Sequence, residues 1–154
     1  MALKRDKYDS IFSELVRERA NWCCESCGRD FSTNRASLHC SHINGRRHAA
    51  TRWHPLNALA HCVGCHRRLG EEPIQFTRHA EYEYGVMTVE QVSRAALHPV
   101  KIKPWQKEEL YQHYKQELAR LKPYALPARL GVSSSLRLTG TSRASLCVWG
   151  KRHE

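Results

Sequence analysis

Two short cysteine pairs constrain this chain more than anything else in it: Cys24-Glu-Ser-Cys27 and Cys62-Val-Gly-Cys65. Two intervening residues let a tight turn aim both sulfurs of a pair at one point. Two such turns a few dozen residues apart can present four thiolates to one tetrahedral ion. Gly28 and Gly64 supply the permissive backbone that such turns favour. Buried free cysteines or a redox pair are the competing readings; matched spacing on both sides favours a structural Zn²⁺ held by Cys24, Cys27, Cys62 and Cys65. A four-cysteine site is closed, with no position left for water, so any chemistry needs a second site. Cys23, Cys40 and Cys147 fit no such pair.

Composition agrees with a small metal-stapled core. A chain of 154 residues with 41% hydrophobics makes one compact domain with appendages. An odd count of seven cysteines, with a charged Met1–Tyr8 that lacks the apolar stretch of a secretory signal, points to the reducing cytoplasm. No run of ~18 apolar residues offers a membrane span. The net charge of +10 favours a polyanionic partner, nucleic acid first.

Four zones follow along the chain. Residues 1–22 carry a helix with Ile11, Phe12, Leu15 and Val16 on one stripe and Asp9 as its expected N-cap. Residues 23–72 are dense in Cys, His and Arg and form the expected metal-bound core. Residues 73–122 turn helical. Pro73 opens one helix that Gly85 stops, and Thr88 with Gln91 reads as a capping box for a short helix through Leu97. Pro104 opens the longest, where Leu110, Tyr114, Leu118 and Leu121 recur at helical spacing. Residues 123–154 read as a flexible basic tail.

The segment between the cysteine pairs is the chemically informative one. Residues 31–70 contain no Asp or Glu, but six arginines and six of the ten histidines. Nucleases that use two metals need several carboxylates close together, which this segment lacks. Arginines in a segment without acids suit fork-like contacts to phosphate oxygens, and Arg46, Arg47, Arg52 and Arg67 are the candidates. Ser37 to His42 alternates like a short strand, Asn44-Gly45 reads as a hairpin turn, and Asn57 to His66 as a second strand running into the second cysteine pair.

Cys24-x-x-Cys27, Leu38-His-Cys-Ser-His-Ile43 and Asn57-Ala-Leu-Ala-His-Cys-Val-Gly-Cys-His66 together resemble the HNH, or ββα-metal, endonucleases. The likeness is to the phage-borne branch with the NinG/Rap-type recombination nucleases, and it covers residues 12–70. The resemblance implies an α+β fold: a small zinc-stapled ββα core with flanking α-helices. It implies a DNA endonuclease leaving 5′-phosphate and 3′-hydroxyl ends, in which His42 is the general base, Asn57 pins the loop that positions it, and His66 ligates a catalytic Mg²⁺ or Mn²⁺. The family's other protein ligand, commonly Asp or His, precedes the base; here that position is Ser41. His39, on the Ser41 side of the strand, is a candidate substitute ligand, with a role outside the constellation the favoured reading. The implied setting is a phage or prophage protein acting on duplex or branched DNA in the bacterial cytoplasm. One site cuts one strand, so paired cuts would need a homodimer, with Tyr111 and Tyr114 of the 104–122 helix extending an apolar face. The rival is a non-catalytic zinc-ribbon DNA-binding protein; an RNA-binding knuckle would want more exposed aromatics than Phe31 and Trp53.

Overall fold

The computed structural model describes residues 4–122; the basic stretch 123–154 lies outside the described residues. The chain runs α1 (Lys7–Arg19), β1 (Leu38–His42), β2 (Ala58–Cys62), α2 (Val63–Glu71), α3 (Pro73–Tyr84), α4 (Val86–Ala96) and α5 (Pro104–Leu121). This is a small α+β protein: among the described residues, five α-helices around one two-stranded antiparallel sheet. A lone pair of strands is marginal in water, so its stability has to come from what covers it.

The register decides which residues meet which helices. Leu38 pairs with Cys62, Cys40 with Ala60 and His42 with Ala58, while His39 pairs with His61 and Ser41 with Leu59. Side chains alternate across a strand, so the first set faces one way and the second the other. The first face packs on α1 and α5, in a core with Phe12, Leu15, Val16, Trp22, Trp53, Tyr114 and Leu118. The second is covered by α2, α3 and α4, where Leu59 meets Leu69, Phe76, Ala80 and Val89.

α1 begins one turn earlier than the apolar stripe suggests. Asp6, not Asp9, is its N-cap: the Asp6 carboxylate accepts from the Asp9 amide at 2.9 Å, and Asp9 returns the bond to the Asp6 amide at 3.2 Å. This reciprocal box satisfies two orphan donors. α3 ends where expected, at Gly85, whose φ of +85° is open to glycine at little cost. α4 starts at once at Val86, so Thr88 lies inside its first turn and does not cap it.

Three further expectations are corrected. Asn44-Gly45 does not join the strands as a hairpin: β1 and β2 are linked by residues 43–57, and neither Asn44 nor Gly45 has the positive φ that such a turn demands. Gly28 does take a positive φ of 69°, but Gly64 lies in the first turn of α2. Tyr114 is buried against Phe12, with ring centroids 5.7 Å apart, so it offers no surface on α5; Tyr111 is half-buried, edge-on against Tyr8.

Candidate metal centre and histidine cleft

The Sγ atoms of Cys24, Cys27, Cys62 and Cys65 all lie within 4.8 Å of one another. Cys27 and Cys62 are 3.9 Å apart. Zinc–sulfur bonds of ~2.3 Å place the corners of a tetrahedron about 3.8 Å apart, so the cluster can hold a structural metal such as zinc. Burial pushes the Cys24 and Cys65 thiols up, while donors around the cluster work the other way. α2 starts at Val63, which sets Cys62 and Cys65 at a helix N-terminus. The Cys62 amide donates to Cys24 Sγ at 3.2 Å, and Arg29 Nε to Cys27 Sγ at 3.4 Å. Burial would raise the Cys27 thiol, yet Arg29 and backbone donors hold it down at about 6.

A cleft of about 530 Å³ opens beside the sheet, lined by His39, His42 and His66 together with Arg5, Asp9, Arg17 and Arg46. His42, the last residue of β1, leans on Phe12 and places Nε2 3.0 Å from the Arg52 carbonyl. A carbonyl can only accept, so Nε2 carries the proton and Nδ1 keeps the lone pair. Burial pushes the His42 pKa down to about 4, against the carbonyl bond that raises it. The ring is therefore neutral at pH 7, and a weaker base than a free imidazole.

Asn57 is fully buried at the turn into β2. Its Oδ1 accepts from the Asn44 amide at 2.8 Å, and its Nδ2 donates to the Asn44 and Thr51 carbonyls, each at 2.9 Å. One side chain thus ties both ends of the 43–57 connection. That connection also carries the Arg52 carbonyl on which His42 rests.

His66 sits on the first turn of α2, which comes straight off β2 and returns over the second sheet face. Its Nδ1 is 2.5 Å from Ser41 Oγ, and its ring lies 5.4 Å from that of His39. Ser41 is 1% exposed. The sequence constellation of Ser41, His42, Asn57 and His66 is thereby gathered around one connection and one cleft, with His39 beside it.

The arginines divide. Arg47 and Arg67 are exposed, and Arg46 lines the cleft with Asp9 3.5 Å away. Arg52 is not an unpaired positive: its Nε and Nη2 grip the two oxygens of Asp9 at 2.9 and 2.6 Å. Trp53 Nε1 donates to the same carboxylate at 2.9 Å. Burial alone would raise the Asp9 carboxyl, but these donors and the Asp6 amide bring it to about 2.

Asp9 is the residue that sequence reasoning missed. It reaches the cleft from α1, outside the acid-free segment, and anchors the loop whose carbonyl holds His42. The available signal was its place three residues before Phe12 on the buried helix stripe. His61 was missed too. It is 0% exposed, its ring lies 5.3 Å from that of His79, and neither of its nitrogens has a hydrogen-bond partner among the described residues.

Fold and cluster define a small α+β protein with a four-cysteine centre able to hold zinc. A stretch of 56 residues is 38% identical to Zorya protein ZorE of Escherichia coli, covering 36% of this chain and 14% of ZorE. The chain thus matches only a small part of that relative's length. No protein-family model and no solved structure matches it. Among the described residues, no helix is long and apolar enough to cross a membrane.

Proposed function

We propose that this chain is a metal-dependent DNA endonuclease of the HNH type. The observation that carries the reading is the His42 environment: a neutral imidazole, fixed in one tautomer by the Arg52 carbonyl, opens onto the same cleft as His66. His42 Nδ1 takes a proton from the attacking water, and Nε2 stays on the Arg52 carbonyl as positive charge develops on the ring. Asn57 holds that loop in register. Arg46, with exposed Arg47 and Arg67 outside the cleft, binds the phosphate backbone, while Arg52 supports the site through Asp9. A divalent ion held at His66 would neutralise charge on the scissile phosphate and stabilise the leaving 3′ oxygen. The products are 5′-phosphate and 3′-hydroxyl ends. The context in this reading is phage DNA recombination or processing, in a bacterial setting in keeping with the Escherichia coli relative.

The test is His42→Ala assayed on labelled duplex, nicked, flap and junction DNA with Mg²⁺, Mn²⁺, Co²⁺ or Ni²⁺. Loss of a general base costs ~10²–10⁴ in rate. The variant should lose cleavage by that factor with zinc content and DNA affinity kept. A wild type that binds these DNAs and cuts none of them would make the chain a zinc-ribbon binding protein instead.

A further inference from the structure

We propose that His39, rather than Ser41, is the second protein ligand of the ion at His66, giving a two-imidazole site for a transition-metal dication. The inference rests on the endonuclease reading only for its purpose, not for its geometry.

Ser41 is committed elsewhere. Its buried hydroxyl lies 2.5 Å from His66 Nδ1; in the tautomer that a ligating Nε2 requires, the ring proton sits on Nδ1 and the hydroxyl oxygen accepts it. This is the outer-shell arrangement that fixes the tautomer of a ligating histidine. Ser41 is therefore a positioning residue. His39 supplies what Ser41 does not. It is two residues earlier on the same strand face, lines the same cleft, and its ring centroid is 5.4 Å from that of His66 with the planes at 39°. Two imidazoles bound at ~2.1 Å to one tetrahedral ion have their centroids about 5.3 Å apart.

The donor set also selects the ion. Among the described residues, Asp9 is the one carboxylate lining the cleft, and its oxygens are held by Arg52 and Trp53, with Arg46 nearby. Mg²⁺ takes oxygen ligands in octahedral geometry and is poorly served by two imidazoles. Co²⁺, Ni²⁺ and Zn²⁺ suit nitrogen donors better, with Mn²⁺ at the weak end of the series. Water and a phosphate oxygen would complete the shell.

The experiment uses the full chain with its structural zinc in place and no DNA. Zn²⁺ is added beyond one equivalent and followed by calorimetry and by ¹H–¹⁵N spectra of the imidazole rings. One further ion should bind, with a nitrogen of both His39 and His66 shifting, while Mg²⁺ shifts neither. His39→Ala should weaken that binding by more than about tenfold, the scale that even an outer-shell partner carries. Ser41→Ala should also weaken it, but with both rings still shifting. His39→Asp should restore an ion and move the preference toward Mn²⁺. Far-ultraviolet dichroism and retention of one zinc check the fold of each variant. The proposal is overturned if no second ion binds, or if His39→Ala binds it as tightly as wild type. Wild type that binds the ion through both rings yet cuts no DNA would remove the endonuclease reading and leave the site standing. Cleavage in a His39→Ala chain of unchanged ion affinity would do the reverse.

Discussion

The two faces of the sheet are built on opposite terms. On the α1 side, His42, Asp9 and Tyr114 are held by partners. His42 rests on the Arg52 carbonyl, Asp9 takes three donors from Arg52 and Trp53, and the Tyr114 hydroxyl donates to the Trp53 carbonyl. On the α2 side, His61 and His79 bring imidazole nitrogens into a small apolar cluster with no partner for three of them among the described residues. The first face seats one imidazole on a backbone carbonyl. The other keeps imidazoles side by side, His39 with His66 and His61 with His79. A base that must hold its geometry belongs on the first kind of surface, and ligands for an ion on the second.

Both faces depend on the cysteine cluster, so its loss should erase the comparison altogether. Cys62 is both a candidate ligand and the last residue of β2, packed against the α1 core. Structural zinc supplies ~10–16 kcal/mol in small zinc domains, on the scale of the whole stability of an ordinary domain. Cys62→Ser, or chelation of the native chain, should give an unfolded protein by circular dichroism, with wild type holding one zinc by elemental analysis. A zinc-free chain with a normal cooperative melt would refute the shared site.

Asp9→Asn should disturb the first face alone. Removing one partner of a buried ion pair typically costs 3–5 kcal/mol. Here it leaves the Arg52 guanidinium without its bidentate acceptor and frees the loop beneath His42. The chain should melt lower by roughly 2–4 °C per kcal/mol. Any cleavage should fall with it in kcat, while imidazole spectra of His39 and His66 stay unchanged. A variant with native stability would show that the Asp9 network is a surface pair.

How much of this was legible differs between the same regions. The four cysteines, the strand at Leu38–His42 and the helices bounded by Pro73, Gly85 and Pro104 follow from spacing, φ constraints and missing donors, which are local. Asp9 was not legible as an anchor because its partner Arg52 is 43 residues away, brought close only by packing. Asn44-Gly45 has hairpin chemistry, but Asn57 captures both the Asn44 amide and its carbonyl and holds a longer connection open. Thr88 has the right neighbour for a cap, yet Gly85 already ends one helix and starts the next. Contacts distant in sequence decided the first two cases, and at Thr88 one local signal overruled another.

The smallest effect tests the second face. A buried polar group without a partner costs ~1–3 kcal/mol. Leu59, Phe76 and Val89 form the adjoining apolar cluster, and the His61 ring packs against Phe76 at 5.5 Å. His61→Leu should therefore raise stability at pH 7 by about 1–2 kcal/mol, allowing for an imperfect shape match. It should also change the acid response. Burial holds the His61 pKa at about 3 and His42 at about 4, whereas unfolded imidazoles protonate near 6.5. Between pH 6.5 and about 4 the unfolded state binds more protons, so stability falls as pH falls. Each ring contributes a loss on the order of 1.4 kcal/mol per pH unit in that window. Asp9 acts lower, its contribution present above 3.8 and lost as pH drops toward 2. Urea melts from pH 7 to 4.5 should show wild type losing stability more steeply than His61→Leu by about one ring's share, since cysteines and His42 are common to both chains. Parallel slopes, or a variant less stable than wild type at pH 7, would mean that His61 finds a partner in solution and that the two faces are satisfied alike.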